Sequence, residues 1–159
     1  MKAQKFIFIV IMAFIVIDFV CYLPITFEAL KVGKSNALSL IFKMLKILSC
    51  FGIGFLFYRV LQQYIHNGFL LTTAIRYLRY IGFLGLAVAI WSSLENATEI
   101  ISTFQFPDTL SLFVTFTRGF LARLLVREPL PILLGLLVLL LAHFAQKALY
   151  FKSENESFI

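Results

Sequence analysis

Apolar positions in this chain fall in blocks close to twenty residues long, separated by short polar stretches. The first block runs from Phe6 to Leu23, FIFIVIMAFIVIDFVCYL. Its Ile, Val and Phe content would favour a strand in water. Eighteen residues is long for a strand,. In hydrocarbon a backbone must satisfy its own hydrogen bonds, so the block reads as a helix. Pro24 is expected to mark its exit, and residues 25–43 to form a mixed loop with Gly33, Ser35 and Asn36 as turn signals,. Lys2 and Lys5 precede the block, and no small-x-small cleavage pattern follows it in DFVCYLPITFEAL. A retained first span is therefore expected rather than a signal peptide.

The second block, Phe42 to Val60, opens with Lys43 and Lys46 and closes with Arg59. Both lysines can snorkel to an interface. Gly52 and Gly54 suggest close helix contact, although their spacing is not that of a GxxxG pair,. Residues 61–68 read as a polar connection broken at Asn67-Gly68.

The third block, Phe69 to Leu94, is divided by Arg76 and Arg79. As one helix it would be about 39 Å long. The expected split is an interfacial first half and a span from Tyr77 to Leu94. Tyr77, Tyr80 and Trp91 would then stand in aromatic belts. Gly82 and Gly85 either admit a neighbouring backbone or reflect ordinary membrane-helix composition.

Residues 95–108, ENATEIISTFQFPD, hold three of the eight acids and read as the clearest extramembrane segment. The sequon at Asn96 is taken as chance. In residues 109–127, Arg118, Gly119 and Arg123 interrupt the apolar run. A helix lying in the interface is expected there, with a fifth span, or a strand or loop, as alternatives. The last block opens on Pro129-Leu130-Pro131, has no charge from Leu130 to Ala145, and extends to Leu149,.

The fold class expected is all-α. It is one integral membrane bundle of four transmembrane helices, spanning about 6–23, 42–60, 77–94 and 130–149, with an interfacial helix over 109–127. Composition agrees: 61% of residues are hydrophobic and 14% charged, and mean hydropathy is +0.95. Soluble chains run at about 45–50% and about 25%. The net charge of +6 flanks the apolar blocks. That points to lipid headgroups as partners rather than nucleic acid. Four spans put seven basic residues on each side, so charge does not orient the bundle,. The basic start favours termini inside.

Candidate chemistry is sparse. Asp18 is a carboxylate inside the first span, where such residues line ion pathways or pair with neighbouring helices,. His143 and Gln146 lie three apart in the last span and share roughly one face,. These three residues are the candidates for intramembrane polar contacts. His66 stands in the polar connection. Two scattered histidines make no metal site, and neither metal nor cofactor is expected. Cys21 and Cys50 could match in height in an antiparallel pair; small hydrophobes or a disulfide are the alternatives. No nucleotide-binding, nucleophile-elbow or zinc-protease motif occurs,. The expected function is non-enzymatic, through lipid, a membrane-protein partner or a second copy. The alternative is a small ion or solute transporter or channel using Asp18.

The carboxyl-terminal stretch, LPILLGLLVLLLAHFAQKALYFKSENESFI, resembles the end of the YoaS-like family of small four-span bacterial membrane proteins of unknown function. Phe144, Lys147, Lys152, Glu154, Asn155 and Glu156 carry the pattern of a leucine-rich helix, a basic segment and an acidic tail. Ala148 and Leu149 stand where the family's glycine is usual. The resemblance implies a multi-pass protein of the bacterial inner membrane and no catalytic residue.

Overall fold

A computed structural model of the chain describes residues 2–32, 37–67, 72–103, 108–127 and 129–157, and every one of them except Asp108 is helical. The helices are α1 (Lys2–Val32), α2 (Ala37–Asn67), α3 (Thr72–Thr103), α4 (Thr109–Ala122) and α5 (Pro129–Ser157). A π-helical turn over Arg123–Arg127 continues α4. All five stretches are long and apolar enough to cross a membrane. The protein is thus an all-α bundle of long apolar helices.

Several stretches expected as loops are helical. α1 runs through Pro24 to Val32, α2 begins at Ala37 and reaches Asn67, and α3 continues through Glu95 to Thr103. Helix hydrogen bonds are local, so a helix continues past the end of an apolar block until turn residues stop it. Three such helices, each about 47 Å long, outreach the roughly 30 Å of a bilayer's hydrocarbon. The turn signals Gly33, Ser35, Asn36 and Gly68 lie outside the described residues, and the helices end on either side of them. At Pro24 the chain loses one backbone donor. Thr26 lends its hydroxyl to the same region, donating to the Tyr22 carbonyl at 2.8 Å.

α3 is the centre of the bundle, packed against α2, α5 and α4, while among the described residues α1 packs against α2 alone. The pairs α1–α2, α2–α3 and α3–α5 are antiparallel. Met12 of α1 meets Gly54 of α2, and Tyr22 meets Lys43. Gly52 of α2 meets Leu84 of α3, and Val60 packs with Ala74. Going down α3, Gly85 faces Pro131 of α5, Gly82 faces Leu139, and Arg79 reaches Gln146. α4 uses the other end of α3: its Gly119 approaches Ala97 and Ile100. α4 and α5 share no contact among the described residues. They therefore follow one another along α3 instead of forming a hairpin of their own.

The buried residues are mostly small. They include Ala29, Ala74, Ala89, Ala97 and Ala142, the serines Ser49, Ser92 and Ser93, and Gly82 and Gly135. Large side chains point outward, as Leu133, Leu137, Leu140 and Leu141 do on α5. Small residues let backbones approach. No residue of α4 is buried. Asp108 caps that helix, its Oδ1 accepting from the Ser111 N–H at 3.4 Å,.

Candidate functional site

Polar chemistry collects at the two ends of the bundle. At the end where α2 begins, Phe42 and Lys46 stand one turn apart on α2, and Trp91 and Glu95 one turn apart on α3. The Phe42 and Trp91 rings stack with centroids 6.1 Å apart. Lys46 Nζ lies 2.5 Å from Glu95 Oε2, and both side chains are largely shielded, at 28% and 18% exposure. Lys43 turns the other way, its Nζ 3.8 Å over the Tyr22 ring of α1. Two lysines three residues apart thus tie α2 to the helices on both its flanks.

The opposite end holds a cleft of about 570 Å³ between the start of α3 and the last turns of α5. Arg76 and Arg79 enter it from α3, below Thr72 at the first turn. Three residues apart, they share a face. Gln146, Leu149, Tyr150 and Ser153 enter from α5, spaced so that one helix face carries all four,. Ile75 and Leu149 give the cleft an apolar wall. Arg79 Nη2 donates to Gln146 Oε1, which fixes one guanidinium against α5. Arg76 is exposed and forms no ion pair with a described residue. Nearby, Thr73 Oγ1 donates to Gln63 Oε1 at 3.1 Å, joining α3 to α2.

The residues singled out from sequence are not brought together. Asp18 is exposed on α1, and the α1–α2 cavities are lined by Ile15, Val16, Phe19 and Leu23 beside it. His143 is exposed, its ring 6.2 Å from that of Phe144, while Gln146 serves the cleft. His66 is exposed at the end of α2. Cys21 and Cys50 are both free thiols. Cys50 lines an apolar cavity of about 340 Å³ among α2, α3 and α5, on the side of α2 turned from α1. The hydroxyls of Ser49 and Ser93 donate to the carbonyls of Leu45 and Ala89, one turn back in their own helices. These bonds satisfy the two hydroxyls within their own helices,. Among the described residues no group of three His, Cys, Asp or Glu is placed to hold a metal.

Two contributors were not singled out in sequence. Glu95 was assigned with an extramembrane segment, although it repeats Trp91 at one turn as Lys46 repeats Phe42. Gly135 is the lone glycine of the last apolar block, and that isolation was the available signal. A Cβ on Gly135 would lie 3.0 Å from the Gly82 carbonyl oxygen and 3.1 Å from the Leu86 nitrogen.

Comparison with known proteins finds no match: no family model, no curated protein and no solved structure matches this chain.

Proposed function

We propose that this is a multi-pass membrane protein with four spans, non-enzymatic, acting through contacts with lipid and with a membrane-protein partner or second copy. One observation carries the reading. The middles of α1, α2, α3 and α5 turn large apolar side chains outward, and charge is confined to the two ends except at Asp18. That distribution suits a hydrocarbon layer around the middle and headgroups at each end. α4 is the fifth apolar helix. Its contact with α3 falls at Ala97 and Ile100, beyond Glu95, which supports placing it at one membrane surface. The YoaS-like resemblance of the carboxyl-terminal segment would make that membrane a bacterial one.

For the rival reading, a transporter or channel built on Asp18, the described cavities beside that residue offer mostly apolar side chains. Asp18 is exposed on the outermost helix. In proteoliposomes we expect no ion or proton flux that Asp18→Asn abolishes; such a flux would establish the rival.

Thiol accessibility tests the membrane reading. In a chain lacking Cys21 and Cys50, single substitutions Lys34→Cys, Asn67→Cys, Ser102→Cys and Ser153→Cys are labelled with an impermeant reagent from each side. Four spans put positions 34 and 102 on one side and 67 and 153 on the other. Position 153 grouping with 34 and 102 would instead show that 109–127 crosses. Recovery of the protein in the supernatant after alkaline carbonate extraction would overturn the membrane reading itself.

A further inference from the structure

We infer that the cleft between α3 and α5 binds a phosphate-bearing anion, and that its source is an anionic phospholipid headgroup. The inference rests on the membrane reading above and names the ligand of one site within it. The cleft is large enough for a headgroup, at about 570 Å³. It offers two guanidinium groups three residues apart, one anchored and one uncommitted. Gln146 holds Arg79 in place, whereas Arg76 forms no ion pair with a described residue. Tyr150 and Ser153 add hydroxyl donors from the facing helix. Arginine presents a fixed planar fork that matches phosphate oxygens two at a time, and a pre-positioned fork loses less freedom on binding.

The surroundings choose lipid over a soluble phosphate. Ile75 and Leu149 form an apolar wall of the same cleft, and Tyr80, exposed one turn beyond Arg76, continues the α3 face toward the middle of the bundle,. A headgroup seated on the arginines would lay its acyl chains along that surface. Basic pockets between helices at the membrane surface recognise anionic headgroups in this way. The other basic end is built differently. There Lys46 is consumed by Glu95 and Lys43 by the Tyr22 ring, so those charges are already engaged. Glu154 follows Ser153 in sequence but is not among the residues lining the cleft.

The test uses the full chain in neutral detergent, after carbonate extraction has shown that it is membrane-integral. Native mass spectrometry follows titration with phosphatidylglycerol and with phosphatidylcholine of identical acyl chains. The expected result is a roughly tenfold preference for the anionic lipid. Arg76→Gln, at a side chain with no described partner, should remove most of that preference. Arg76→Lys should keep part of it, and Arg118→Gln on α4 should leave it unchanged. Inorganic phosphate provides the second arm. Binding of phosphate alone, lost in Arg76→Gln, would support phosphate recognition and overturn the lipid as its source. Equal binding of the two lipids, or a preference that survives Arg76→Gln together with Arg79→Gln, would overturn the inference. Either outcome in a membrane-integral chain leaves the membrane reading standing.

Discussion

The α1–α2 and α3–α5 contacts are built from similarly apolar sequence and pack differently. α1 meets α2 through Met12, Ile15, Phe19 and other bulky side chains, and apolar cavities of about 200 and 240 Å³ remain between them. α3 and α5 meet at Gly82, Gly85 and Gly135, where backbone approaches backbone so closely that a Cβ would lie 3.0 Å from a carbonyl oxygen. Along that seam a cavity opens where α2 joins it, and the arginine-lined cleft opens at its end. On the membrane reading proposed above, the contrast bears on what holds helices together once water is gone. Leucine gains nothing by leaving lipid for another leucine, so apolar content does not select a partner. Close van der Waals contact does, and small residues allow it. α5 accordingly presents its leucines outward and its glycine inward.

The strongest way to break this comparison is Gly135→Leu. The new side chain would meet the Gly82 carbonyl and the Leu86 backbone nitrogen, and backbone cannot move aside as a side chain can. A loss of about 3 kcal/mol is expected. Unfolding by sodium dodecyl sulfate titration, followed through the lone tryptophan Trp91, would read it. Wild-type stability in this variant would show that the α3–α5 seam is not what organises the bundle.

A smaller effect is expected at the α2–α3 contact. Glu95→Gln would leave the shielded Lys46 ammonium without its carboxylate, destabilising by about 1–3 kcal/mol,. Replacing both partners by apolar residues, Lys46→Met with Glu95→Leu, should recover most of that loss. A double-mutant cycle checks both, and additive single effects would show that the pair is not coupled.

The smallest effect belongs to the α1–α2 contact. Gly54→Ala introduces a methyl against the Met12 thioether, a flexible side chain with cavities nearby. The change should cost under about 1 kcal/mol, since Met12 can change rotamer. If Gly54→Ala proves as damaging as a substitution at Gly135, the two contacts do not differ in the way described.

Much of the helical architecture was legible in the chain. Blocks of apolar residues mark the middles of α1, α2, α3 and α5, because a helix is the only economical backbone for a long apolar segment. The helix ends were legible only in part. Pro24 and the polar run from Glu95 to Thr103 read as breaks, yet the helices continue, since local hydrogen bonds outweigh one missing donor or a change of solvent. Gly52 and Gly54 both read as contact residues. That they serve different neighbours, Leu84 on α3 and Met12 on α1, follows from their lying on opposite sides of α2,.

The sequence by itself determined the class of the protein: an all-α chain whose helices have apolar middles and charged ends, without a linear motif for catalysis. Tertiary structure alone decided which polar side chains meet. Arg79 and Gln146 are 67 residues apart, and Lys46 and Glu95 are 49 apart. Nothing local in either pair specifies the other member. Their meeting depends on α3 lying antiparallel to both α2 and α5, with the register set where small residues let the backbones close. Hydropathy is a sum over neighbours in sequence and survives without a fold. A cleft with two arginines on one wall and two hydroxyls on the other exists only after two helices have docked.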